Sequence, residues 1–216
     1  PKVSPSPLPL VLEGRYYLAQ TAGKEGGAWY AVQSSEVFAL DESRLPGLLD
    51  GGAELYVFDA KPLYRKALEA GGVCASIRFD AKLAAYLLNP SASDYQVAPL
   101  AAEYGVTPAF ACEEYPDAGV LAGVCDILAQ HLDEQGQHKL LAEMELPLAR
   151  VLADMERIGF AVDAEGIRTF GDSLRAELDG ILRRIYDAVG YEFNLNSPKQ
   201  LAEALFDKLG LPPRKK

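Results

Sequence analysis

Ile167, Phe170, Leu174, Leu178, Ile181, Ile185 and Val189 recur in steps of three and four residues, a spacing that one face of an α-helix satisfies and a strand does not. The run from Asp163 to Val189 spans 27 residues and would be roughly 40 Å long at the standard helical rise. A rod of that length reaches away from a small domain, and its apolar seam is predicted to pack against one neighbouring helix. Upstream, Leu140 to Ile158 carries apolar residues at positions 140, 141, 144, 148, 151, 152 and 155. It is expected to form a second long helix, bent at Pro147 and terminated by Gly159. Downstream, Ser197 is an N-cap, Pro198 takes the first helical position, and Gln200 completes a capping box. Leu201, Leu205 and Leu209 keep one stripe until Gly210 and Pro212-Pro213 end the helix.

The chain ahead of this helical region reads differently. Its first twelve residues, with Pro1, Pro5, Pro7 and Pro9, predict an extended or poorly ordered lead-in. Arg15 to Gln20 and Ala28 to Gln33 are β-rich and flank the Gly-rich segment 22–27, which predicts a hairpin. A short helix capped by Asp41 runs to Leu49, a buried strand covers Glu54 to Phe58, and a helix from Lys61 to Ala70 stops at Gly71-Gly72. Val73 to Ile77 is expected to be another strand. Asp80 then caps a helix through Leu88 that ends at Asn89-Pro90. Helices are predicted over Gln96 to Tyr104 and Asp117 to Asp133, with an irregular link at 107–114 between them. Strands followed by helices in this order indicate an α/β layer structure, and the chain divides into an α/β domain over 1–138 and a helical segment over 139–216.

At 216 residues the chain is long enough for one large or two modest cores. No apolar run approaches the eighteen or so residues of a membrane span and no secretory pattern opens the chain, so the expected compartment is the cytoplasm, with no membrane partner. Three cysteines, Cys74, Cys112 and Cys125, suggest neither a disulfide framework nor a zinc site. His131 and His138 lack ligand partners at metal spacing and are read as solvated. The net charge of minus ten is unevenly placed. Residues 1–138 hold nine Lys/Arg against eighteen Asp/Glu, whereas the last twenty residues hold Lys199, Lys208, Arg214, Lys215 and Lys216 against Glu203 and Asp207. A basic tip of this kind suits phosphate contact.

The segment Glu145-Leu146-Pro147-Leu148, the Met155-Glu156 helix, Gly159, Val162-Asp163 and then Phe193-Asn194-Leu195-Asn196-Ser197-Pro198-Lys199-Gln200-Leu201 resembles the opening of the polymerase module of bacterial DNA polymerase I, a family A enzyme. Phe79-Asp80 through Tyr86-Leu87-Leu88-Asn89 resembles a segment of that family's 3'-5' exonuclease domain. The resemblance implies a ribonuclease H-like fold, a mixed sheet with flanking helices, followed by an all-α thumb of long antiparallel helices. It further implies that Asn196, Ser197, Lys199, Lys208, Arg214, Lys215 and Lys216 contact DNA, and that primer-template and the remainder of the polymerase domain are the partners. The family continues beyond the equivalent of Lys216, and Mg2+ is implied for the intact polymerase, with no cofactor in this stretch.

The family's exonuclease holds two metal ions with an Asp-x-Glu on the first strand, an Asn-x-x-x-Asp at a strand–helix junction and a Tyr-x-x-x-Asp on a late helix, because hard divalent ions need several oxygen ligands. Only Glu13, Glu25 and Glu36 are acidic in residues 1–40, and none forms Asp-x-Glu. An ungapped alignment puts Asp59 at the Asn position and Leu63 at the metal-binding Asp. The third motif falls on Val120 and Val124, or, two residues shifted, on Asp126. Phe58-Asp59 with a four-residue insertion is a rival placement. Asp163-Ala164-Glu165 has the right letters but lies at a helix start, where Asp163 caps. The chain is expected to be a polymerase I portion whose exonuclease-like domain is a catalytically silent scaffold; a working exonuclease and an acidic protein-interaction module are the alternatives.

Overall fold

A computed structural model of the chain describes residues 1–9, 12–21 and 27–212. The chain gathers into two units, Pro1–Gly159 and Phe160–Lys216. The sequence boundary at 138 marks where the polymerase-like motifs begin, whereas the division at Gly159 marks where packing changes.

The first unit is built on a six-stranded sheet: β1 (Ser6–Pro7), β2 (Arg15–Gln20), β3 (Trp29–Gln33), β4 (Glu36–Leu40), β5 (Glu54–Val57) and β6 (Ile77–Asp80), ordered β1-β4-β3-β2-β5-β6. Strands β2, β3 and β4 form an antiparallel meander, while β5 lies parallel to β2 and β6 parallel to β5. Central strands buried on both faces need near-continuous apolar sequence, and Tyr16 to Ala19 and Trp29 to Val32 supply it, all of them buried. The helices of this unit are α1 (Leu45–Leu49), α2 (Ala60–Glu69), α3 (Ala81–Leu88), α4 (Val97–Glu103), α5 (Ala118–Glu134), α6 (His138–Leu140) and α7 (Leu146–Ile158). Helix α5 packs on β2 and β3 and carries α3 and α4 against it, while α2 packs against α1 and α7. The expected helix at 41–49 begins as a 3-10 turn, Glu42–Arg44, capped by Asp41.

The lead-in takes the extended form of the two that the sequence reading allows, and it is fastened at two points. Val3 N donates to Ala111 O at 2.8 Å, Ala111 N donates to Pro1 O at 2.9 Å, and β1 adds to the edge of β4. Proline is tolerated there because an edge strand leaves one row of backbone groups unpaired. Strand β4 has no counterpart in the sequence reading. The strand expected at 73–77 starts only at Ile77, because the Asp50 carboxylate takes the N–H groups of Val73 and Ala75 and holds that segment as a loop, with Cys74 at a φ of +58°. The helix predicted as one piece over 140–158 is α6, then a π-helical stretch (Leu141–Glu145), then α7. The change of winding leaves Pro147 in the first turn of α7, where its missing N–H is harmless.

The second unit consists of α8 (Ala164–Val189), α9 (Pro198–Ala202) and a π-helical continuation (Glu203–Lys208). Asp163 caps α8 by accepting from Gly166 N at 2.8 Å, and Gly190 ends it at a φ of +86°. The loop after it folds back on the helix end, where Tyr186 Oη donates to Phe193 O at 3.1 Å. The predicted seam lies on one face, and the described residues of this unit leave most of it uncovered, with Ile185 and Val189 half-buried. Ile167 and Phe170 remain 62% and 64% exposed. No helix among the described residues is long and apolar enough to cross a membrane.

Candidate functional site

The parallel register of β5 and β6 pairs Val57 with Asp80, so both chains leave the sheet side by side and each starts a helix. Asp59 turns the first of these corners in the left-handed region, with a φ of +71°, and its own side chain does not cap α2. The cap comes from the neighbouring strand. Asp80 Oδ2 accepts from Ala60 N at 2.7 Å, and Asp80 Oδ1 accepts from Asp59 N at 3.2 Å, Lys82 N at 2.8 Å and Leu83 N at 3.2 Å. One carboxylate thus satisfies orphan donors at two helix N-termini. Asp80 is 1% exposed. Burial pushes its carboxyl up to about 6 against the pull of the Ala60 N–H, and the nearby Asp59 adds to the rise.

Asp59 directs its carboxylate to the Lys82 ammonium at 2.6 Å. Asp59 and Lys82 both line two clefts. One, about 410 Å³, is walled by Leu83, Tyr86, Leu148 and Leu152. The other, about 400 Å³, is walled by Gln20, Trp29, Phe58 and Gln96. In the sequence Asp80 reads as a cap for its own helix and as part of a family-like segment, not as a member of this cluster, and Lys82 carries no signal of its own. Only the strand register brings positions 59, 80 and 82 together, and no local motif encodes it.

The other positions to which the sequence alignment points lie elsewhere. Leu63 on α2 and Val124 on α5 are fully buried, and Val120 is nearly so. Asp126 faces the opposite end of the strands from Asp59. Tyr17 Oη donates to its Oδ1 at 2.9 Å, and Arg15, which also sits 4.1 Å over the Tyr56 ring, approaches it at 3.9 Å. Tyr17 is pushed up to about 12, chiefly by burial. Asp59 and Asp126 therefore serve different partners and share no ligand position. Among the described residues no group of three or more His, Cys, Asp or Glu is placed to hold a metal, and the donor set does not fit a two-metal centre.

In the second unit, Ser197 Oγ accepts from Gln200 N at 3.5 Å, half of the expected capping box. The reciprocal bond is redirected: Gln200 Oε1 accepts from Asn194 N at 2.8 Å, and Asn194 Oδ1 accepts from Asn196 N at 2.9 Å. The turn 194–197 is thereby held by its own side chains. Lys199 is exposed and the Lys208 ammonium sits 6.0 Å above the Tyr191 ring. Arg214, Lys215 and Lys216 lie outside the described residues.

A mixed sheet of this order, with a long helix packed on its antiparallel strands and a helical segment after it, defines a ribonuclease H-like domain joined to an α-helical extension. Residues 16–114 match the family model for the DNA polymerase I ribonuclease H-like domain. The chain is 36% identical over 205 residues to DNA polymerase I of Geobacillus stearothermophilus, an alignment covering 84% of this chain and 23% of that protein. It is 34% identical over 181 residues to the Bacillus subtilis enzyme, covering 74% and 21%. A structure of the POL domain of Pol1 from M. smegmatis, in complex with DNA primer-template and dNTP, superimposes with a TM-score of 0.75 at 26% identity, covering all of this chain and 42% of that one. The chain belongs to the bacterial DNA polymerase I family, and it spans about a quarter of the length of these curated relatives.

Proposed function

We propose that this chain is the part of a DNA polymerase I in which a metal-free exonuclease-like domain serves as scaffold and the helical extension contributes to holding duplex DNA. The observation that carries the scaffold reading is the pair of fully buried aliphatic side chains, Leu63 and Val124, at positions where oxygen donors would be required. Asp59, the acid that aligns with the Asn of the second motif, is already engaged by Lys82. Dehydrating a divalent cation for so few oxygens is unfavourable.

The polymerase activity, with dNTPs and Mg2+, belongs in this reading to the intact protein. Its remaining domain is the natural cover for the exposed seam of α8. The primer-template in the related complex supports DNA binding in general, and the positive charge around Lys199 and Lys208 is what favours a contact through the basic tip. Incubation of the chain with single-stranded DNA and Mg2+ or Mn2+ should leave the substrate intact; metal-dependent trimming that Asp59→Ala abolishes would overturn the scaffold reading. Neutralising Lys199, Lys208, Arg214, Lys215 and Lys216 should weaken primer-template binding and reduce its salt slope by roughly one for each phosphate left without its cation. Unchanged binding would refute the DNA contact.

A further inference from the structure

Where β5 and β6 end, two acids converge: the buried Asp80 and the partly exposed Asp59, whose backbone N–H points at the Asp80 carboxylate. Adjacent carboxylates in a partly dry setting repel, and the rise in the Asp80 carboxyl already registers the presence of Asp59. A nearby cation offsets such repulsion. Lys82 reaches both acids, through its backbone N–H to Asp80 at 2.8 Å and through its ammonium to Asp59 at 2.6 Å. The other lysine lining the same cleft, Lys61, is committed to Glu156 at 2.8 Å.

We propose that the Lys82 ammonium is a tethered counter-ion filling the cation position of this strand-end acidic site, which closes it to divalent ions by occupation as well as by lack of ligands. The proposal rests on the metal-free reading above and explains how the surviving acids are accommodated. Because Lys82 is fixed by α3, its ammonium is present at high local concentration. A solution cation must displace it and shed water in exchange for a single accessible carboxylate.

The test uses the full chain, wild type and variants, with Mn2+ as the probe. In the wild type, Mn2+ should leave the backbone amide NMR signals of residues 59, 60, 82 and 83 unbroadened, and chelator should not shift the Tm. Lys82→Met should lower the Tm by roughly 2–4 °C, the range for loss of a partly buried pair in a chain of this size. It should also make those four amides broaden on addition of Mn2+ at millimolar concentration. Lys82→Arg should behave as wild type. Adding Asp59→Asn to Lys82→Met should restore the Tm to within roughly 1 °C and remove the broadening, which separates a counter-ion role from generic misfolding. Broadening equal in wild type and Lys82→Met, or absent from both, would overturn the proposal. A metal-dependent nuclease in the wild type would instead overturn the scaffold reading.

Discussion

The two units dispose of their apolar side chains in opposite ways. In the sheet unit the strands and α5 bury Leu18, Trp29, Tyr30, Leu55, Phe79, Leu121 and Leu128 almost completely, in one continuous core. In the helical unit Ala204 is the one described residue that is buried, while Ile167, Phe170, Leu174 and Leu178 stand in the open. Both sequences are amphipathic, so pattern alone does not separate them. The difference is that a sheet supplies neighbours from far along its own chain, whereas a single long helix presents a face that its own unit cannot cover. The sheet unit buries its apolar side chains against one another, whereas the described residues of the helical unit leave most of the α8 seam exposed.

Cavity-forming substitutions should break this contrast most sharply. Leu55→Ala, in the central strand β5, should cost about 3–5 kcal/mol by the usual cost of emptying a packed core site. Leu178→Ala, at a side chain 54% exposed, should change stability by less than about 0.5 kcal/mol. Chemical denaturation of the two variants checks both. Equal losses would mean that the α8 seam is covered in solution, by a second molecule or by the rest of the chain.

Most of the framework is legible in the sequence because helix caps and apolar periodicity are local signals. Asp80, Asp163 and Ser197 each cap the helix that the spacing predicts. What escapes depends on partners distant in sequence. Strand β4 is invisible because Glu36 to Leu40 is short and finds its role only beside β3. The segment 73–76 carries strand-like residues, but Asp50, more than twenty positions away, claims its N–H groups. The site divides along the same line. Leu63 and Val124 can be flagged one position at a time, whereas the Asp59–Lys82–Asp80 cluster exists only once the β5–β6 register is fixed.

Asp80 sharpens the comparison through pH, since the only buried charged side chain among the described residues lies in the sheet unit. An acid whose folded value is raised binds its proton more tightly when folded. Its contribution is therefore favourable at low pH and is lost as pH rises. From the ordinary 3.8 to about 6, the loss across pH 4 to 7 amounts to on the order of 3 kcal/mol. Wild type minus Asp80→Asn stability should fall by roughly that amount over this window in paired denaturation curves, with the effects of other groups cancelling. A flat difference would show that the four N–H donors hold the carboxyl at its ordinary value.

Smaller effects than those in the core or at Asp80 are expected at backbone positions with left-handed φ, and they should differ in sign between the units. Gly190 stops α8 at a φ of +86°, where an added Cβ meets no atom within 4 Å, so the cost of Gly190→Ala is conformational alone, about 1 kcal/mol. The sheet unit places a non-glycine residue at such a position. Ser34, in the turn between β3 and β4, sits at a φ of +55° because the pairing of Gln33 with Glu36 closes the turn around it. Ser34→Gly should relieve that strain and stabilise the unit by up to about 1 kcal/mol, less the entropy that glycine adds to the unfolded chain. Opposite shifts in Tm for these two exposed substitutions would show that long-range pairing imposes the turn geometry in one unit and that the local residue supplies it in the other. Shifts of the same sign would mean that the β3–β4 turn is set by its own sequence.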